Sequence, residues 1–152
     1  MPELIWRGCV LPEDLLYQVE NHVWVRQQEG EVELGMTDVA QTMGGRLVQV
    51  TWREPGKKVR QGRPAAVIES AKWVGPFVSP VSGEIVANNR EAFEADPAIA
   101  NRDPYGKGWL YRVKLTEGEG LGSAGLVEAA EAFELYRVFI EENKLTCMRC
   151  AD

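Results

Sequence analysis

The sequence predicts a mainly β domain, packed with short helices and closed by a C-terminal helix. Short apolar runs with period-two character recur along the chain: "HVWVRQ", "EVELGM", "RLVQVTW", "PAAVIES", "PFVSPV", "GEIVANN" and "GWLYRVKL". Glycine, proline and asparagine separate them, which is the pattern of a β-sandwich or barrel. One long stretch, "GLVEAAEAFELYRVFIEENK", instead repeats its apolar residues every three or four positions.

Each element has a local cause. Gly30 can supply a positive φ between the first two strands, and Gly56 after Pro55 fits the third position of a type II turn. "TDVAQTMGG" offers Thr37 as an N-cap, Asp38 in the first turn, and Gly44 and Gly45 as the stop. Ser82-Gly83 breaks "SPVSGEIV". "NREAFEADPAIAN" predicts one or two short helical turns, interrupted at Pro97. In "GWLYRVKL" the alternation puts Trp109, Tyr111 and Val113 on one face and Leu110, Arg112 and Lys114 on the other. Gly118 to Gly125 reads as a glycine-rich linker. In the helix that follows, Leu126, Ala130, Phe133, Tyr136 and Ile140 make the apolar face.

With 152 residues the chain is long enough for one real core without staples. Its 45% hydrophobic and 26% charged content is that of a globular protein. A net charge of −6 and the lack of a basic face argue against nucleic acid as a partner. No run approaches the length of a membrane helix, and "MPELIWRGCV" does not resemble a signal peptide. The three cysteines of an unsecreted chain read as thiols rather than a disulfide framework, with the cytoplasm as the expected compartment.

Lys72 stands in "VIESAKWVGPF", between a strand ending near Ser70 and another beginning near Phe77. A hairpin tip fixes the root of a side chain and leaves its head in water, and an ε-amine is a suitable acylation site. On the residues alone, an ordinary solvated lysine is the better explanation of the pattern.

The wider sequence adds six ordered blocks. "YQVENHVWV", "GMTDVAQTMGG", "EPGKKVRQG", "ESAK", "SPVSGEIVANN" and "NRDPYGKGWLYRVK" span about Leu16 to Leu115. Together they resemble the H-protein family of the glycine cleavage system. The resemblance implies a lipoyl-domain fold (a barrel-sandwich hybrid) with lipoic acid attached covalently to Lys72. It implies a carrier, not an enzyme, with Glu69 and Ser70 helping to present the lysine to a lipoate-attaching enzyme. Partners would be the glycine cleavage enzymes and dihydrolipoyl dehydrogenase. On this reading residues 1–15 are an N-terminal extension and 16–117 the carrier domain. Residues 118–145 are then the linker and helix, and 146–152 a cysteine-containing tail. A biotin carrier shares the architecture, but its lysine usually lies between methionines, whereas Ala71 and Trp73 flank this one.

Two departures stand out. "WVGPF" replaces the small polar residues usual after the lysine, so Trp73, Val74 and Phe77 are candidates for a docking surface. Packing onto the sheet beneath is the alternative for Trp73. The tail "NKLTCMRCAD" carries Cys147 and Cys150 as a C-x-x-C. This pair follows a helix instead of opening one, which disfavours thioredoxin-type chemistry. Zinc would need Cys9 and His22 as further ligands, and no metal site is expected. Incidental thiols, or a mobile tail that exchanges with a partner's sulfur chemistry, are the remaining readings. His22, beside Trp24, reads as a structural residue. Together the departures resemble the lipoate-binding proteins of sulfur oxidation, which work with a heterodisulfide-reductase-like complex, and this makes sulfur oxidation the first expectation and glycine cleavage the alternative. That branch would put oxidisable sulfur on the arm in place of an aminomethyl group.

Overall fold

A computed structural model describes residues 2–116, 121 and 125–150. The expected linker from Gly118 to Gly125 lies mostly outside the described residues. β1 (Glu3–Trp6) and β2 (Cys9–Pro12) form a two-stranded hairpin. The strands β3 (Leu16–Gln18), β4 (Val23–Gln28), β5 (Glu31–Met36), β7 (Lys58–Val59), β10 (Gly83–Asn88), β11 (Tyr111–Leu115) and β12 (Val127–Glu128) make the main sheet. Its order is β12-β3-β4-β5-β11-β10-β7, and every described pairing is antiparallel. A smaller antiparallel sheet has the order β6 (Leu47–Thr51), β8 (Pro64–Ser70), β9 (Val74–Val78). Helices are α1 (Asp38–Gly44), α2 (Arg90–Ala95), α3 (Ile99–Arg102) and α4 (Ala129–Glu142). None is long and apolar enough to cross a membrane.

All seven predicted apolar runs are strands, and the mainly β class with a closing helix holds. Gly30 and Gly56 have the positive φ expected of them, and Thr37 Oγ1 caps α1 by accepting from the Ala40 N–H (3.2 Å).

Strand alternation divides the interior in two. Val23 and Val25 of β4 enter a core with Leu34, Ile68, Ile85 and Val113 between the two sheets. Trp24, between them, points the other way into a second core with Tyr17, Cys9, Tyr136 and Ile140. There its indole N–H donates to the Pro104 carbonyl (2.9 Å). The second core is closed by α4, the β1–β2 hairpin and the tail.

Four expectations are corrected. Leu110 is buried, because β11 begins only at Tyr111 and the preceding residue turns inward. The buried face of α4 is Ala129, Ala132, Tyr136 and Ile140, with Ala130 exposed. The helix starts at Ala129, directly after the short β12 pairs with β3. The cysteines are not all thiols: Cys9 and Cys147 form a disulfide across 138 positions, with Cα atoms 4.8 Å apart. Nor does the tail hang free, although Met148 and Arg149 are exposed. Cys147 is buried, its N–H donates to the Arg7 carbonyl (3.0 Å), and the Cys150 N–H donates to the Asn101 carbonyl (3.0 Å).

Candidate functional site

The β8–β9 connection is a tight turn with Ala71 and Lys72 at its centre. The Ser70 N–H donates to the Trp73 carbonyl (2.8 Å), and Glu69 pairs with Val74 one step below. Buried Ser70 organises the tip: its hydroxyl donates to the Trp73 carbonyl (3.3 Å) and accepts from the Lys72 N–H (3.3 Å). A small hydroxyl at this position therefore locks the turn on which the lysine is mounted. Lys72 is exposed, as is Glu69.

The lysine stem does not stand alone in water. It lies along Gly45, the residue that ends α1, where a Cβ would come within 2.8 Å of Lys72 Cε and 3.5 Å of Cδ. Gly45 sits at φ +80°, so glycine meets two demands at once: the backbone conformation and the close approach. The Trp73 indole folds back over Gly75 and reaches the end of α1, with Cε3 3.8 Å from a Cβ built on Gly44. The doubled glycine, read from sequence as a helix stop, is also the support for this hairpin.

Behind Gly45 stands Asn101, 1% exposed and on α3. Its side-chain amide donates to the Gly45 carbonyl (2.9 Å), and its oxygen accepts from the Leu47 N–H (2.8 Å). Asn101 opens one of the six sequence blocks, but no local signal marks its role, because these side-chain partners are more than fifty positions away. Asp38 is a second residue with more work than its sequence suggested. Its carboxylate accepts from the Val10 N–H (3.0 Å) and Gln41 Nε2 (2.8 Å), and pairs with Arg149 (3.3 Å), so it joins α1 to the hairpin and the tail.

Beside the hairpin an apolar groove of about 350 Å³ is lined by Met36, Ala40, Met43, Trp73 and Phe77, among others. Trp73 is 42% exposed and Val74 62%, so the apolar rim predicted beside Lys72 exists. Phe77 is a correction: at 3% exposed it belongs to the core against Tyr111 and forms no outer docking surface. The predicted Cys147–Cys150 pair is not brought together as a dithiol, because Cys147 is bonded to Cys9. His22 lies against Tyr136 and Phe139, its Nδ1 3.0 Å from the Tyr136 hydroxyl, and burial holds its pKa below the usual value. Among the described residues no group of three potential ligands could hold a metal ion.

Comparison with known proteins matches this architecture to one family. The family model described as "Glycine cleavage H-protein" matches residues 15–138. The chain is 43% identical over 148 residues to "Glycine cleavage system H protein 3" of Aquifex aeolicus, covering 95% of this chain and 91% of that protein. It is 44% identical over 145 residues to "Probable glycine cleavage system H protein 2" of Saccharolobus solfataricus, covering 93% and 96% respectively. Among solved structures, a glycine cleavage system H protein from Mycobacterium marinum matches with a TM-score of 0.71 at 35% identity. That match covers 89% of this chain and 100% of the other. With the matched span taking in the Lys72 hairpin and its glycine support, the chain belongs to the glycine cleavage H-protein family.

Proposed function

We propose that Lys72 carries a lipoyl group in amide linkage, and that the chain is the H protein of a glycine cleavage system. In that role it carries the aminomethyl group between the glycine cleavage enzymes and does not itself catalyse. Members of the family carry lipoate on a lysine. The observation that supports Lys72 as that lysine is its mounting: an exposed amine at a turn locked by Ser70, with its stem guided by Gly45. The chemistry belongs to the cofactor and the partner enzymes, while this chain presents the arm. Tethering raises the effective concentration of the arm's sulfurs at each docked site. The neighbouring groove is apolar and suits the hydrocarbon part of such an arm.

Partners on this reading are a lipoate-attaching enzyme, the glycine cleavage enzymes and dihydrolipoyl dehydrogenase, met in the cytoplasm. Glu69 points outward beside the turn and is assigned to recognition by the attaching enzyme, and Trp73 and Val74 to docking. A second reading, service to a heterodisulfide-reductase-like complex in sulfur oxidation, draws on the exposed Trp73–Val74 rim, since the tail's Cys147 is bonded to Cys9. The names of the relatives favour glycine cleavage.

Intact mass under non-reducing conditions, with peptide mapping, tests the proposal on protein from a host with its native partners. One lipoyl group on Lys72 is expected, absent from Lys72→Arg with the fold unchanged. An aminomethyl adduct on the arm supports glycine cleavage, and additional sulfur supports the second reading. An unmodified Lys72 in a lipoylating native host overturns the carrier assignment.

A further inference from the structure

The C-x-x-C of the tail is split in the fold. Cys147 is bonded to Cys9, and Cys150 is left as a half-buried thiol three positions on. Between them the tail is seated on α1. The Met148 N–H donates to Thr42 Oγ1 (3.2 Å), and its carbonyl accepts from Gln41 Nε2 (2.9 Å). Arg149 pairs with Asp38, and the Cys150 N–H donates to Asn101, the residue that holds Gly45 beneath the Lys72 stem. Contacts thus run without a gap from the disulfide, through the tail, to the lysine hairpin.

We propose that Cys9, Cys147 and Cys150 form a disulfide-exchange latch. The tail is seated while Cys147 is bonded to Cys9, and leaves its seat when Cys147 is bonded to Cys150. In the step, the Cys150 thiolate attacks the Cys147 sulfur. The bond to Cys9 breaks as the bond to Cys150 forms, and the departing Cys9 thiolate takes up the proton that Cys150 gave up. One disulfide and one thiol stand on each side, so no oxidant or reductant is consumed.

Two observations make the exchange internal and couple it to seating. Cys9 and Cys147 are 2% and 7% exposed, which shields their bond from dissolved thiols but not from a thiol on the same short segment. Residues 145–150 run without a turn or bend. Three residues of extended chain span about 10 Å, whereas a disulfide needs its Cα atoms within about 7 Å. A Cys147–Cys150 bridge therefore folds the tail back on itself and draws Met148 from Thr42 and Cys150 from Asn101. Loss of the Cys150–Asn101 bond takes the tail from behind Gly45 and the Lys72 stem; its bearing on a cofactor arm rests on the carrier reading, whereas the exchange itself does not.

The test uses the full oxidised chain, held at about pH 8.5, close to an ordinary thiol pKa. Samples are quenched with N-ethylmaleimide and mapped after trypsin, which cuts after Arg7 and Arg149 and so separates the three cysteines. Labelled Cys9 and a Cys147–Cys150 linked peptide are expected to accumulate. In Cys150→Ser the linked peptide is absent and Cys9 labels at least about tenfold more slowly. Hydrogen exchange at the Met148 and Cys150 amides is fast in the exchanged form and in Cys9→Ser. Unlabelled Cys9 in the parent chain, equal labelling in Cys150→Ser, or tail amides still protected in Cys9→Ser would each overturn the latch. The mass of the Lys72 peptide in the same digest tests the carrier reading separately.

Discussion

Gly45 and Lys72 are in contact across the molecule: the last residue of the α1 cap carries no side chain, and the lysine stem occupies the space one would fill. The end of a helix and the tip of a hairpin from the smaller sheet are thereby fitted together, 27 positions apart in sequence. Gly45→Ala places a Cβ at a left-handed φ and 2.8 Å from Lys72 Cε. We expect a stability loss of about 1–3 kcal/mol from the backbone conformation, read by urea denaturation. On the proposed function, lipoylation of Lys72 should slow as well, because the stem must move. Unchanged lipoylation would remove Gly45 from the positioning of the arm.

Trp73 tests the docking rim. At 42% exposed its removal should cost the fold little. As an interface anchor it should cost a partner complex about 2 kcal/mol or more, near thirtyfold in Kd. Titration of Trp73→Ala against an isolated partner enzyme checks this. Gly75→Ala offers a second route, since its Cβ would overlap the indole and displace it without deleting it. Equal affinity in both variants would mean that Trp73 only covers the sheet.

Asn101→Ala leaves the Leu47 N–H and the Gly45 carbonyl without their side-chain partners in a buried place. A loss of about 2–4 kcal/mol is expected for unsatisfied groups of this kind, measured by thermal or urea unfolding. Local hydrogen exchange should rise first at the Leu47 amide. Asn101→Asp retains the acceptor for Leu47 and should recover part of that protection.

Stability should also follow pH at both ends of the range. Burial lowers the His22 pKa in the fold, so between the lowered folded value and about 6.5 the unfolded chain binds more protons. Stability is complete above about 6.5 and falls as the pH drops below it. Burial raises the hydroxyls of Tyr17, Tyr105, Tyr111 and Tyr136, so the unfolded chain ionises first. Stability should therefore fall again as the pH rises above about 10. Urea midpoints across pH would check both limbs, and Tyr136→Phe together with His22→Asn should flatten them.

Local patterns made much of this legible. Alternating runs and turn glycines placed β4, β5, β6, β8, β9, β10 and β11, and "TDVAQTMGG" placed α1 with its cap because both signals are complete within nine residues. The β1–β2 hairpin escaped because its two-residue loop is Arg7-Gly8, both at positive φ, and arginine gives no sign of that conformation. Lys72 was legible through its sequence blocks, but its support was not. Gly45, Asn101 and Asp38 act on partners dozens of positions away, and no periodicity encodes them. The disulfide is the extreme case: two cysteines 138 positions apart meet only because the second core brings both chain ends onto α1.

That same bond makes most of the chain a covalent ring. From Cys9 round to Cys147 the backbone returns to within 4.8 Å of itself, and Lys72 lies roughly half-way round. A single peptide cut anywhere along that circuit would open the ring without dividing the molecule, so both halves would stay joined through sulfur. A nicked protein would migrate as one species until reduced, and Lys72 would keep a path of backbone to each side of the break.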